Sequence, residues 1–106
     1  MLRVVVRMVK PGQEQRLRAW LAELMRRQDE VRETFRQESV RHEQGILFST
    51  PEGTALIYAI EAEDFGQLSE AYENSTLPID SEHKKVMGQV LGDPVPLELL
   101  YECALE

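Results

Sequence analysis

The stretch SVRHEQGILFSTPEGTALIYAIE, residues 39–61, decides the fold. It contains two runs rich in β-branched and aromatic residues, joined by the turn sequence PEG at residues 51–53. Such runs around a Gly-containing turn predict a β-hairpin. Both faces of the return strand are apolar, which is typical of a central strand covered on both sides. Gly45 lies inside the first strand and predicts a bulge there.

Upstream of the hairpin, residues 2–9 predict a strand and the residues after Pro11 a helix that runs to about Gln37. This helix is long for a small domain, so a break is expected near Gln28, followed by a second segment capped by Asp29. Alternation divides the strand into two faces: Leu2, Val4, Val6 and Met8 on one, Arg3, Val5 and Arg7 on the other.

Downstream of the hairpin, Asp64 is expected to cap a second helix that ends around Asn74. A further helical segment is expected to begin at Asp80 or Ser81 and to end at Gly92. Residues 95–104 place Val95, Leu97, Leu99 and Tyr101 on one face and Glu98, Leu100 and Glu102 on the other, which predicts a last strand. Pro96 places this strand at the edge of the sheet.

The element order β-α-β-β-α-β predicts a ferredoxin-like α+β fold, with helices on one face of an antiparallel four-stranded sheet. The uncovered face is too apolar to remain in water, so we expect a homodimer in which two sheets pack together. We place Arg3 and Arg7 on this face, where they are expected to pair with Glu98 and Glu102. The remaining side chains expected on this face are Val5, Ile57, Ala59, Glu61 and Leu100.

Length and composition narrow the class of protein. The 106 residues suit one domain, 1–106, and the net charge of −7 argues against nucleic-acid binding. The sequence has no apolar run long enough for a membrane span and no secretory layout at its start, so a cytoplasmic location is expected. Cys103 is the only cysteine, which excludes an internal disulfide and a thiolate metal site.

Three stretches resemble a known superfamily: RMVKPGQEQRLRAWLAEL at the first strand-helix junction, the hairpin with its following residues, and LPIDSEHKKVM before the last strand. They resemble the dimeric α+β barrel proteins, which include antibiotic-biosynthesis-type and haem-degrading monooxygenases and L-rhamnose mutarotase. Within that superfamily the chain looks like a small bacterial family of uncharacterised function. The resemblance implies a ligand between sheet and helices or inside the barrel. No catalytic residue of those enzymes can be matched in this sequence.

The chemistry-bearing candidates are few. His83 lies on the apolar side of its predicted helix and suits proton exchange near neutral pH, although a lone histidine on such a face also serves as a core or interface residue. Glu43 is a candidate catalytic base or substrate anchor, or else a solvent-facing residue. Tyr58 and Tyr72 are candidate ligand contacts that also fit the core. Arg3 and Arg7 are candidate ligand-binding residues if the dimer buries them.

The leading functional hypothesis is a homodimeric barrel that binds a small organic molecule, acting as a cofactor-independent, monooxygenase-like enzyme. The alternatives are a non-catalytic dimerisation or regulatory module and a mutarotase-like or isomerase activity on a sugar. No spacing in the sequence predicts a metal site, a nucleotide loop or a haem attachment, so no cofactor is expected.

Overall fold

The computed structural model describes residues 1–105 and contains four strands and four helices. In chain order the elements are β1 (Leu2–Val9), α1 (Glu14–Arg26), α2 (Gln28–Glu38), β2 (Val40–Thr50), β3 (Gly53–Ala62), α3 (Phe65–Glu73), α4 (Pro78–Val90) and β4 (Leu91–Pro94). All strand pairs are antiparallel, and the sheet order is β2-β3-β1-β4. The ferredoxin-like α+β fold is thus confirmed, and each of its two helical connections consists of two helices, as expected.

The helix boundaries follow local chemistry. The expected break lies at Arg27, between α1 and α2, and Arg27 itself is the N-cap, so Asp29 does not cap the second segment. The Asp64 side chain accepts hydrogen bonds from the backbone N–H groups of Gly66 and Gln67, which confirms it as the cap of α3. The α4 helix begins at Pro78, earlier than expected, because proline suits the first helical position.

The sheet has one helix-covered face and one uncovered face, and β1 is oriented opposite to expectation. Directly paired residues of antiparallel strands share a face. Val5 pairs with Tyr58 and Arg7 with Leu56, so these β1 residues lie on the helix side. Leu56 is fully buried in the main core under the helices. The prediction that Arg3, Val5 and Arg7 lie on the uncovered face was therefore wrong.

The uncovered face is apolar. It carries Val4, Ile46 and Phe48, which are 45%, 44% and 40% exposed, next to Ile57 and Ala59. Gly45 pairs regularly with Tyr58, and the extra residue of β2 lies between Val40 and His42 instead, so the predicted bulge at Gly45 was wrong.

The end of the chain also differs from expectation. The last strand is β4, residues 91–94, and not 95–104, and Gly92 belongs to this strand rather than to a helix cap. Beyond it, the Val95 N–H donates to the Val6 carbonyl, and the following segment lies outside helices and strands. Its side chains Leu97, Leu99, Leu100, Tyr101 and Leu105 are exposed. The expected cross-strand pairs of Arg3 and Arg7 with Glu98 and Glu102 do not form.

The core lies between the helix-covered face and the helices. Its main cluster is centred on Leu17, Leu56 and Val90, which are almost fully buried. A second, smaller cluster around Val40, Ala62 and Phe65 holds α3 against the end of the hairpin. The space between these two clusters is not filled by side chains, and the candidate site lies there.

Candidate functional site

A partly open cavity of about 300 Å³ lies between the sheet and helices α2, α3 and α4. This volume is at the lower end of the range for small-molecule sites. Most of the wall is apolar, and the polar groups are few and lie on separate elements. The lining residues are Val5, Arg7, Leu24, Val31, Thr34, Phe35, Glu38, Glu43, Tyr58, Ile60, Leu68, Tyr72, Ile79, Asp80, His83, Met87 and Leu91.

His83, on α4, lines the cavity, and its imidazole is hydrogen-bonded to a residue outside the cavity wall. The indole Nε1–H of Trp20, on α1, donates a hydrogen bond to His83 Nδ1 at 2.9 Å. The rings of Trp20, Tyr58 and Tyr72 surround the imidazole with centroid separations of 6.0, 6.4 and 6.3 Å. Burial lowers the pKa of His83, and the nearby carboxylate of Asp80 opposes this effect. His83 is therefore disposed to stay neutral near pH 7.

Glu43 enters the cavity from β2. Its partner in β3 is Ile60, which places its side chain on the helix-covered face. Burial raises the pKa of the Glu43 carboxyl to about 7. The carboxyl thus lies close to half ionised at neutral pH, which is the condition for accepting and returning a proton efficiently.

Two further carboxyl groups, missed in the sequence, face the same cavity. Glu38, the last residue of α2, and Asp80, in the first turn of α4, are only 8% and 6% exposed. The pKa of Glu38 is raised to about 7, mainly by burial and then by the charges of Asp80 and Glu43, whereas the Thr34 hydroxyl opposes the rise. Three carboxyl groups from three elements therefore share one mostly apolar space.

The two predicted tyrosines also lie in this wall. Tyr58 Oη is fully enclosed and has no hydrogen-bond partner within residues 1–105. Burial, followed by the charge of Glu43, raises the pKa of Tyr58, and burial likewise raises the pKa of Tyr72. Both hydroxyl groups stay protonated at neutral pH. An enclosed hydroxyl without a partner is costly, so the Tyr58 hydroxyl lowers the stability of the fold at this point of the wall.

The two arginine candidates have different surroundings. Arg7 lines the cavity, and its Nε and Nη2 donate to the Gly92 carbonyl at 2.8 and 2.6 Å, which anchors the guanidinium beside β4. Arg3 is not part of the lining. Its guanidinium stacks on the ring of Phe65, the first residue of α3, at 4.0 Å from the ring centroid. Arg7 can therefore contact a ligand in this cavity, whereas Arg3 is placed to stabilise α3 against β1.

The structure brings together five of the six residues predicted from sequence: His83, Glu43, Tyr58, Tyr72 and Arg7. The sequence signal for Asp80 was its place one turn before His83 on the same helix, since residues three apart are neighbours on a helix.

Two features would point to other kinds of site: a group of metal ligands and a membrane-spanning helix. Across residues 1–105, no group of three or more histidine, cysteine, aspartate or glutamate side chains is arranged to hold a metal ion. Within the same residues, no helix is both long enough and apolar enough to cross a membrane. What the cavity offers is acid-base chemistry, with carboxyl groups of near-neutral pKa, a neutral imidazole and tyrosine hydroxyls.

Comparison with known proteins gives the fold and a family. Residues 2–105 match the model of a "Family of unknown function (DUF6176)". Tetracenomycin F2 cyclase from Streptomyces glaucescens, a type-II polyketide cyclase, superimposes with a TM-score of 0.57 at 16% identity, covering 98% of this chain and 99% of the cyclase chain. Rv0793 from Mycobacterium tuberculosis gives 0.55 at 21% identity, covering 97% and 98%. No curated protein matches the sequence. These two likenesses in structure confirm the expected α+β fold.

Proposed function

Because the chain belongs to this family of unknown function, DUF6176, we propose its function from the cavity itself: it binds a small carbonyl-bearing organic molecule there and catalyses proton transfer without a cofactor. The observation that carries the proposal is the joint position of Glu43, with a pKa of about 7, and neutral His83 in one partly open, mostly apolar cavity. Groups that exchange protons near neutral pH are the ones that acid-base enzymes require.

In the proposed reaction, the Glu43 carboxylate removes a proton from the carbon next to the ligand carbonyl. The C–H bond breaks, an O–H bond forms on Glu43, and the electron pair moves into the carbonyl to give an enolate. The hydrogen on the Glu43 carboxyl then exchanges with water, to which the cavity is partly open, and its transfer to carbon breaks the O–H bond and reforms the ketone, which completes the exchange. Enolate chemistry of this kind is the first step of carbonyl condensations, and the structural likeness to a protein named as a polyketide cyclase accords with it. The more specific monooxygenase-like hypothesis would use the same enolate, with molecular oxygen as the oxidant.

The test is hydrogen-deuterium exchange at a ketone. Acetophenone is incubated with the protein in D₂O at pD 7 to 8, and loss of its methyl proton signal is followed by NMR. The wild-type protein is expected to accelerate exchange at least tenfold over buffer. Glu43→Gln, which keeps the shape but cannot accept a proton, is expected to abolish the acceleration.

The matched control for this test is Glu52→Gln in the exposed turn between β2 and β3, which should exchange acetophenone like the wild type. If the wild type did not accelerate the exchange, removal of a proton from ketones of this class would be refuted. If acetophenone also left the fluorescence of Trp20, the only tryptophan, unchanged, the non-catalytic module would become the better hypothesis.

We also propose that the protein is a homodimer formed through the uncovered sheet face. Val4, Ile46 and Phe48 are each at least 40% exposed there, and an apolar sheet surface of this kind is usually covered by another layer. The exposed apolar side chains of residues 97–105 add to the surface that a second copy would bury. Closed twofold pairing is the commonest way for one chain to cover such a face.

Sedimentation equilibrium or light scattering at several protein concentrations tests the dimer. The wild type should have twice the chain mass, and Ile46→Asp combined with Phe48→Asp should shift it to the monomer. Arg36→Asp, on the exposed side of α2, is the control and should leave the mass unchanged. A monomeric wild type at high micromolar concentration would contradict the proposal.

A further inference from the structure

We propose that Trp20 is a positioning residue that locks His83 in one tautomer, so that the cavity presents a fixed Nε2–H donor to the carbonyl oxygen of its ligand. The inference rests on the proposed function, because it names the group that would hold the carbonyl and the enolate. It assigns a role to an interhelical hydrogen bond that acid-base chemistry at Glu43 alone does not require.

The hydrogen bond between Trp20 and His83 can run in only one direction. An indole nitrogen carries a hydrogen and has no lone pair to offer, so it acts only as a donor. The 2.9 Å contact between Trp20 Nε1 and His83 Nδ1 therefore requires a bare Nδ1. A neutral imidazole with a bare Nδ1 carries its hydrogen on Nε2. Protonation of Nδ1 would set two N–H groups against each other.

The other ring nitrogen of His83, Nε2, is left for the cavity. The imidazole is part of the cavity wall, and Nε2 makes no hydrogen bond to any residue from 1 to 105. The only fully enclosed side-chain polar atom without a partner in that range is Tyr58 Oη, so Nε2 is not sealed off by protein. Because Nδ1 is turned towards Trp20, the opposite side of the ring, with Nε2–H, is the side left for the cavity.

The Nε2–H of His83 favours a ligand that offers a carbonyl oxygen. Glu38, Glu43 and Asp80 are acceptors when ionised, so they suit the hydroxyl and C–H sides of a ligand and not its carbonyl. The fixed Nε2–H of His83 is a donor on the cavity wall able to meet an oxygen that gains negative charge, and the guanidinium of Arg7 is another. A donor held in place before the reaction stabilises that oxygen without reorganisation. The cavity thus favours a ligand with a carbonyl oxygen at one end and hydroxyl groups at the other.

Nitrogen NMR of the imidazoles tests the tautomer directly. Protein labelled with ¹⁵N at histidine should show, at pH 7.5, a His83 ring with a bare Nδ1 and a protonated Nε2. His42, exposed on β2, is the only other histidine and supplies the reference signals. A protonated Nδ1 on His83 would overturn the inference.

Trp20→Phe removes the N–H while keeping an aromatic ring, and it is expected to give a mixture of the two His83 tautomers. Tyr72→Phe is the control, since Tyr72 also packs on the imidazole, by its edge, but makes no hydrogen bond to it. An unchanged His83 tautomer in a folded Trp20→Phe variant would refute the role of Trp20. If that variant does not fold, the wild-type spectrum alone still decides the tautomer.

The ligand side of the inference is tested with acetophenone and ethylbenzene, which differ in the carbonyl oxygen. Acetophenone should shift the His83 Nε2 resonance and bind at least tenfold more tightly than ethylbenzene, and His83→Ala should remove that preference. Equal binding of the two probes to the wild type would contradict a carbonyl contact. The proposed proton transfer fails separately, by absence of deuterium exchange while the Nε2–H tautomer is still observed.

Discussion

Replacing Glu43 by glutamine should change the dependence of folding stability on pH. Burial raises the pKa of Glu43 from an ordinary value of 4.5 to about 7 in the folded protein. Below pH 4.5 the carboxyl is protonated in both the folded and the unfolded chain, and its titration contributes nothing. Between these two values unfolding releases a proton, so the free energy of unfolding falls as pH rises. Above pH 7 the loss is complete and constant.

The size of the effect follows from the two pKa values. Their difference of about 2.5 corresponds to about 3 kcal/mol, at 1.36 kcal/mol for each pKa unit. Glutamine resembles the protonated acid and cannot ionise. Glu43→Gln is therefore expected to be more stable than the wild type by about 3 kcal/mol at pH 8.5, and by less than about 0.5 kcal/mol at pH 4.5, where the unfolded carboxyl is half ionised. The buried carboxylate would thus lower stability in return for its chemistry.

Urea unfolding followed by Trp20 fluorescence, repeated from pH 4.5 to 8.5, measures this difference. Glu52→Gln, in the exposed turn, is the control and should follow the wild type at every pH. Glu38 has a similarly raised pKa, so Glu43→Gln should retain part of the pH dependence and Glu38→Gln/Glu43→Gln should lose most of it. If the stability difference between Glu43→Gln and the wild type did not vary with pH, the raised pKa of the Glu43 carboxyl would be refuted.

Three further substitutions separate site from scaffold. Tyr58→Phe removes an enclosed hydroxyl without a partner, so it should raise the free energy of unfolding by about 1 kcal/mol; a loss of stability would contradict the isolated hydroxyl. Leu17→Ala opens a cavity at a fully buried position and should cost about 2–5 kcal/mol in urea unfolding, and a cost below 1 kcal/mol would count against the core described. Asp64→Ala removes the α3 cap and should cost about 1 kcal/mol, whereas Asp29→Ala, which caps no helix, should cost less than half of that.

The sequence pattern was sufficient for the order of elements but not for the orientation of β1. Alternation separates two faces without saying which one meets the helices. Arginines on one face suggested the side away from the helices. Arg7 instead lies under them because its guanidinium reaches the Gly92 carbonyl, and Arg3 because it stacks on Phe65. Both partners are more than sixty residues away in sequence, and no local pattern reveals them.

The carboxyl group of Glu38 was not predictable for a related reason. A glutamate at the end of a charged helix is normally solvated, and the helical pattern alone gives no sign that α3 and α4 pack over it. His83 was easier to find, because it is a polar residue on an otherwise apolar helix face, and Glu43 was a candidate because it lies on a strand of the hairpin. The last strand was misplaced because the alternation in residues 95–104 is typical of a strand, yet of these residues Val95 alone is hydrogen-bonded to the β1 backbone.

The corner between α2 and β2 has a consequence for tracing relatives of this protein. A single residue, Ser39, with a φ of 60°, separates the two elements, so Glu38 and Glu43 reach the same cavity from opposite sides of the turn. One residue inserted after Ser39 and carried into the pairing of β2 would move Glu43 to the uncovered face. Two acids five positions apart, straddling a one-residue corner, thus form a linear signature of the site. Chains that keep this spacing are expected to share its chemistry, whereas chains of the same fold with a longer corner are expected to have lost it.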